Sequence, residues 1–217
     1  MASKGGSWKS GTFAPVKMQA APTQTASTEE LRQTYLKSME GGGARERMLK
    51  RYMREGRSKD LGNLNLEEYA ALRYYTTYGY SNINTLLRGG DLSYLSDRAR
   101  RNFELDGRFA ASALQKLPPH TGTVYRGIGV SQSVISSIRV GETYTDKGFM
   151  STSARADRRR SGNLQFEINA TGKNARDLSR LSSYRGEREV LYPPGSRFTV
   201  TGKRTEGRST IVQLMEI

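Results

Sequence analysis

The apolar residues of this chain keep one period up to Pro118 and a different one after it. Between residues 96 and 117, Ala99, Phe103, Ala110, Leu114 and Leu117 recur at helical spacing. Beyond Pro118, "TVYRGI", "NLQFEINAT" and "STIVQLMEI" alternate apolar and polar residues, the period of a half-buried strand. A chain with helices first and strands later cannot build repeated βαβ units. It is α+β, with a helical lobe over 64–117 and a β core over 118–217.

Helix signals subdivide the first half. Residues 1–27 are rich in Gly, Ser, Ala, Thr and Lys without apolar period and read as a disordered basic tail. Ser27-Thr28-Glu29-Glu30 has the form of a capping box ahead of a Leu31, Tyr35, Met39 stripe, and Gly41-Gly42-Gly43 breaks that helix. "ARERMLKRYMREGR" follows as a second helix, so 28–63 reads as a basic helical extension. Asn65-Leu66-Glu67-Glu68 caps a third helix that Gly79 is expected to end, and "NINTLLRGG" reads as a short fourth. In the β half, "VSQSVISSI" reads as a brief helix, "KGFMSTSA" as a strand, and "REVLYPPGSRFTVTGKR" as strands turning at Pro-Pro-Gly.

Composition narrows the chemistry. There is no cysteine, which excludes thiolate metal sites and disulfides, and the single histidine, His120, leaves no His-pair metal site, so no metal is expected. His120 follows Pro118-Pro119 and reads as part of a connecting loop. The formal net charge of +14 attracts nucleic acid, acidic surfaces and phosphate-bearing cofactors. No window approaches eighteen apolar residues and no apolar leader opens the chain, so neither a membrane span nor a standard secretion signal is expected.

Three polar features mark strand ends in the β half: Arg126-Gly127, Ser151-Thr152-Ser153, and the pair Glu187 and Glu189 in "YRGEREVLYPPGSRF". Alternation puts Ser151 and Ser153 on one face, and in an extended segment it would put both glutamates on one face too. Each feature alone is commonplace: a surface arginine before a turn, strand hydroxyls, a solvated acidic edge.

Together and in this order, with the flanks "ALRYYTTYGYSNINTLLRG", "GETYTDKGFMSTS" and "GEREVLYPPGSRFTV", they resemble the mono-ADP-ribosyltransferases of the Arg, Ser-Thr-Ser, Glu-x-Glu class from residue 64 to the end. That class includes bacterial toxins and phage enzymes. The resemblance implies a helical lobe packed on a two-sheet β-sandwich that binds NAD, with NAD as a substrate and no metal. It implies cleavage of the nicotinamide–ribose bond and transfer of ADP-ribose, most often to an arginine of a target protein. By position, Glu189 would stabilise the oxocarbenium-like transition state, as a carboxylate does in glycoside hydrolysis. Ser151 would hold the Glu189 rotamer, with Thr152 and Ser153 supporting the strand. Arg126 would bind the NAD phosphates, and Gly127 would offer backbone contacts to the nicotinamide amide. Glu187 would receive the acceptor guanidinium and Tyr184 would help to recognise it.

One stretch departs from that pattern. After Ser-Thr-Ser comes "ARADRRRSGN", with Arg155, Arg158, Arg159 and Arg160, where the class is more apolar. Residues before 64 add twelve Lys/Arg against six Asp/Glu. These cations leave open a nucleic-acid partner or acceptor in place of protein arginine, or plain NAD hydrolysis. A monomer acting in the cytoplasm of a target or host cell is expected, delivered there by a phage or a bacterial secretion system.

Overall fold

The computed structural model describes residues 28–158, 160–179, 181 and 188–217. The tail 1–27, Arg159, Tyr184 and Glu187 therefore lie outside the described residues. Five helices come first: α1 (Thr28–Ser38), α2 (Ala44–Gly56), α3 (Leu66–Tyr74), α4 (Tyr80–Leu87) and α5 (Asp97–Gln115). Seven strands follow, β1 (Pro119–Ile128), β2 (Thr143–Asp146), β3 (Met150–Ser153), β4 (Leu164–Asp177), β5 (Glu189–Tyr192), β6 (Ser196–Glu206) and β7 (Ser209–Glu216). A short helix α6 (Gln132–Ser137) lies between β1 and β2.

The caps form as the sequence predicts. Asn65 Oδ1 accepts the Glu68 amide at 2.8 Å, and Glu68 Oε2 accepts the Asn65 amide at 3.0 Å, a reciprocal capping box that starts α3. Gly79, however, does not end that helix. α3 runs into a wide π turn over Tyr75–Gly79 and straight on into α4. A Cβ on Gly79 would sit 2.6 Å from Cε1 of the Tyr74 ring, so glycine serves close packing inside a continuous helix rather than a stop. His120 likewise belongs to the first turns of β1 and not to a loop.

All seven strands join one hydrogen-bonded sheet, in the order β1-β3-β5-β4-β7-β6-β2, where two sheets in a sandwich were expected. The difference has a cause. β4 pairs with β1 and β7 along its first half and with β5 at its end, and β1 also pairs with β3. Strands β1, β3, β5 and β4 thereby close on one another, giving a barrel-like sheet. The bend in β4 is held by Glu216, whose buried carboxylate accepts from the amides of Thr171 (2.6 Å), Asn174 (2.5 Å) and Ala175 (3.2 Å).

Two cores result. Val124, Phe166, Ile168, Tyr192, Phe198, Val212 and Leu214 fill the sheet interior. Tyr35, Leu49, Tyr52, Tyr69, Leu72, Phe109 and Leu114 form the helical core, which Phe149, Leu178 and Leu191 join from the sheet side. Residues of α1 and α2 thus share one core with α3 and α5. Burial of this many large side chains, each contributing about 1.5–3 kcal/mol, ties the helices to the sheet.

Candidate active site

The site forms where β3 and β5 run side by side. Their register pairs Ser153 with Glu189, Thr152 with Val190 and Ser151 with Leu191. Facing residues of antiparallel strands share a face, so Ser151, Ser153 and Glu189 lie together while Thr152 turns the other way. Ser151 Oγ donates to Glu189 Oε1 at 2.8 Å, and Thr152 Oγ1 donates to the Val190 carbonyl at 2.7 Å. Ser153 Oγ accepts the Arg155 amide at 3.1 Å, fixing the turn that leaves β3. Arg126 Nη1 donates to the Ser151 carbonyl at 2.6 Å, which brings the guanidinium under the serine that holds the glutamate. Burial pushes the Arg126 pKa down from its ordinary value, but an arginine side chain stays protonated in proteins.

Glu189 emerges from a constrained backbone. Arg188, one residue before it, has φ of 43°, the one left-handed non-glycine residue among the described residues. Such a conformation costs free energy for a residue with a Cβ, and it is held here by the Ala154 amide donating to the Arg188 carbonyl at 3.1 Å. Gly127 has a packing role of its own. A Cβ there would fall 1.7 Å from the Arg160 carbonyl oxygen, so residues 160–162 can cross the end of β1 only over a glycine.

A second layer of residues has no place in the three sequence features. Asp146 receives Arg88 in a two-pronged pair, Nε to Oδ1 and Nη2 to Oδ2 at 3.0 Å each, and also accepts the Gly148 amide at 2.9 Å. Asn84 accepts the Phe149 amide at 2.9 Å and donates to the Tyr75 hydroxyl at 3.0 Å. Helix α4 therefore grips residues 146–149 directly ahead of Ser151. Gly148 is required there, because a Cβ would meet Asn84 Oδ1 at 2.7 Å. Burial raises the Tyr75 pKa, and the nearby Glu189 charge raises it further while Arg126 and Arg88 oppose, so Tyr75 is a neutral hydroxyl at ordinary pH. Burial and the Asp146 charge push Tyr144 up to about 12. The signal for this layer was the i, i+4 spacing of Asn84 in α4 and Arg88 at its C-cap, which puts both on one side of the helix.

The structure thus brings Arg126, Ser151 and Glu189 into one hydrogen-bonded set, with Thr152 and Ser153 as its supports. The arginines at 155 and 158 sit on an exposed turn, where Arg155 pairs with Asp157 at 2.7 Å. The family model described as "ADP-ribosyltransferase exoenzyme" matches residues 50–215. The chain belongs to that family. It is 36% identical over 159 residues to Mav of Mycobacterium avium, a putative NAD(+)–arginine ADP-ribosyltransferase, covering 70% of this chain and 18% of Mav. It is 33% identical over 144 residues to Tre1 of Serratia proteamaculans, an NAD(+)–protein-arginine ADP-ribosyltransferase, covering 66% of this chain and 30% of Tre1. The chain therefore spans less than a third of the length of these two relatives. Its fold matches that of Vis, an ADP-ribosyltransferase from Vibrio splendidus solved with agmatine, with a TM-score of 0.64 at 21% identity over 83% of this chain and 89% of that one.

For this ADP-ribosyltransferase fold, the Ser151–Glu189 hydrogen bond is testable by itself. Ser151→Ala is expected to lower turnover by roughly tenfold, the worth of about 1.4 kcal/mol, with little change in thermal midpoint. Steady-state kinetics beside a melting curve checks it. A kcat equal to that of the parent chain would show that Glu189 is oriented without the Ser151 hydroxyl.

Proposed function

We propose that this chain breaks the bond between the ribose C1′ and the nicotinamide nitrogen of NAD and joins C1′ to a guanidinium nitrogen of arginine in a target protein. Nicotinamide leaves as the neutral base, and the acceptor guanidinium gives up one proton. The observation that carries the reading is the Ser151 Oγ–Glu189 Oε1 bond at 2.8 Å, built over the Arg126 guanidinium.

On this reading the Glu189 carboxylate faces the ribose as positive charge develops at C1′, and Ser151 fixes its rotamer. Arg126 makes one hydrogen bond among the described residues, to a neutral carbonyl, and its planar fork suits the NAD phosphates. Gly127, beside Arg126 and covered on one side by Arg160, would offer a backbone contact to the nicotinamide amide. Glu187 takes the acceptor: a guanidinium is protonated in water, so it needs both a counter-charge and a proton acceptor before it can attack. Tyr184, three residues earlier, serves recognition of the acceptor. The relatives named for arginine transfer support the choice of acceptor.

Agmatine, a small guanidine, separates the two half-reactions. Glu187→Ala is expected to lose transfer to agmatine by about 10²-fold while NAD hydrolysis persists within a few-fold. Both are read by chromatography of labelled NAD. Normal transfer by Glu187→Ala would overturn the arginine reading.

A further inference from the structure

The charge of +14 is not spread evenly. On α2 and its capping residue Arg57, the cations Arg47, Lys50, Arg51, Arg54 and Arg57 are all exposed, while Leu49 and Tyr52 on the opposite side are buried in the helical core. At 3.6 residues per turn these five cations fall within an arc of about 120° and span roughly 15 Å of helix axis. Among the described residues none of the five pairs with a carboxylate. What they do contact is neutral: Arg47 donates to the Gly42 carbonyl and Lys50 to that of Gly41, at 3.3 Å for the lysine. Arg98, at the start of α5, donates to the Glu40 carbonyl at 3.1 Å. Three cations therefore converge on three successive carbonyls, those of Glu40, Gly41 and Gly42; of the two acids at this turn, Glu46 pairs with Arg45 at 3.8 Å and Glu40 is exposed, and neither pairs with any of the three. A cavity between α1 and α5 continues the surface, lined by Lys37, Arg98 and Arg101 against the single acid Glu40.

We propose that this basic face binds the phosphodiester backbone of nucleic acid. The chemistry distinguishes it from the other polyanion surfaces. A protein partner wants aromatic or aliphatic anchors at the centre of its interface, and here no large apolar side chain of α2 is exposed. A membrane wants an apolar face beside the charges, and that face of α2 is spent on the core. A row of arginines and one lysine on a rigid helix fits regularly spaced phosphates.

The test is fluorescence anisotropy with labelled duplexes of about 20 base pairs, DNA in one arm and RNA in the other, titrated with the full chain between about 50 and 200 mM salt. Five phosphate contacts predict a log–log slope of about −4 to −5 with DNA, which is a several-hundred-fold loss across that range. Arg47→Gln/Arg51→Gln/Arg54→Gln keeps good helix formers on the solvent side and is expected to shallow the slope by about three units. A control removes the same charge from exposed sites of the β half, Lys173→Gln/Arg197→Gln/Arg208→Gln, and is expected to shift the slope by less than one unit. Equal losses in the two triple variants would mean diffuse attraction and overturn the proposal. So would tighter binding to poly-glutamate than to either duplex. Loss in both duplex arms with the α2 variant alone assigns the site to the shared backbone, and loss in one arm alone assigns it to that nucleic acid. Agmatine transfer by both variants stays at the parent level, because neither set touches Arg126, Ser151 or Glu189.

Discussion

Glu189→Gln is expected to lower both ADP-ribose transfer and NAD hydrolysis by about 10³-fold, the equivalent of roughly 4 kcal/mol of transition-state stabilisation. The substitution is nearly isosteric. Gln can still accept the Ser151 hydroxyl that reaches Glu189 Oε1 at 2.8 Å, and the β3–β5 register that begins at Ser153 and Glu189 is a main-chain matter. Only the negative charge is lost, so the effect isolates electrostatic stabilisation of the sugar cation. On the proposed mechanism that cation precedes both fates of the ribose, so water and guanidine reactions are expected to fall together, unlike the split expected for Glu187→Ala. Single-turnover assays with labelled NAD, with and without agmatine, check this beside a melting curve. Activity within tenfold of the parent would remove Glu189 from the chemistry, whatever its family position.

How much of this could be read in the amino-acid order differs between the residues that react and those that hold them. Arg126, Ser151 and Glu189 were legible only as an ordered set with its flanks, each being commonplace alone, and the structure joins them within hydrogen-bond distance. Their convergence was not legible from strand periodicity alone, since it depends on β1 pairing with both β3 and β4. That closure, held partly by Glu216 at the far end of the chain, is a contact between distant segments with no local signature. Strand β2 went unseen for a related reason: four residues, "TYTD", are too few to show a period. The Arg88–Asp146 pair links residues 58 apart, and only the odd polar spacing on α4 hinted at it. Gly79 misled because glycine marks helix ends and tight helix packing alike, and only the Tyr74 ring decides between them.

The same helical half yields the largest expected stability effect. Asp106 is fully buried in α5, and Arg45 of α2 clamps it with Nε to Oδ2 at 2.7 Å and Nη2 to Oδ1 at 2.8 Å. The Tyr35 hydroxyl of α1 donates to Oδ1 at 2.9 Å, and its ring stacks on Phe109 at 4.1 Å. Three helices thus meet at one carboxylate. Arg45→Met keeps the stem's packing but strands a charge out of water, and it is expected to cost about 3–5 kcal/mol at neutral pH. Its pH dependence carries a definite sign. Burial already holds the Asp106 carboxyl above its usual range, and Arg45 opposes that, so removing Arg45 moves it further up. A carboxyl whose folded pKa exceeds its unfolded one binds more protons when folded, so stability is lost as pH rises through the folded value and recovered on acidification. The deficit of Arg45→Met should therefore be largest near about pH 7.5 and shrink toward about pH 5, as a neutral carboxyl replaces the stranded charge. Arg45→Met/Asp106→Leu, which removes both ends of the pair, should regain much of the loss at pH 7.5 and show no such slope. Urea unfolding at several pH values checks all three outcomes. A deficit under about 1 kcal/mol, in the range of exposed ion pairs, would mean that α1 and α2 are an appended arm rather than part of one folding unit with α3 and α5.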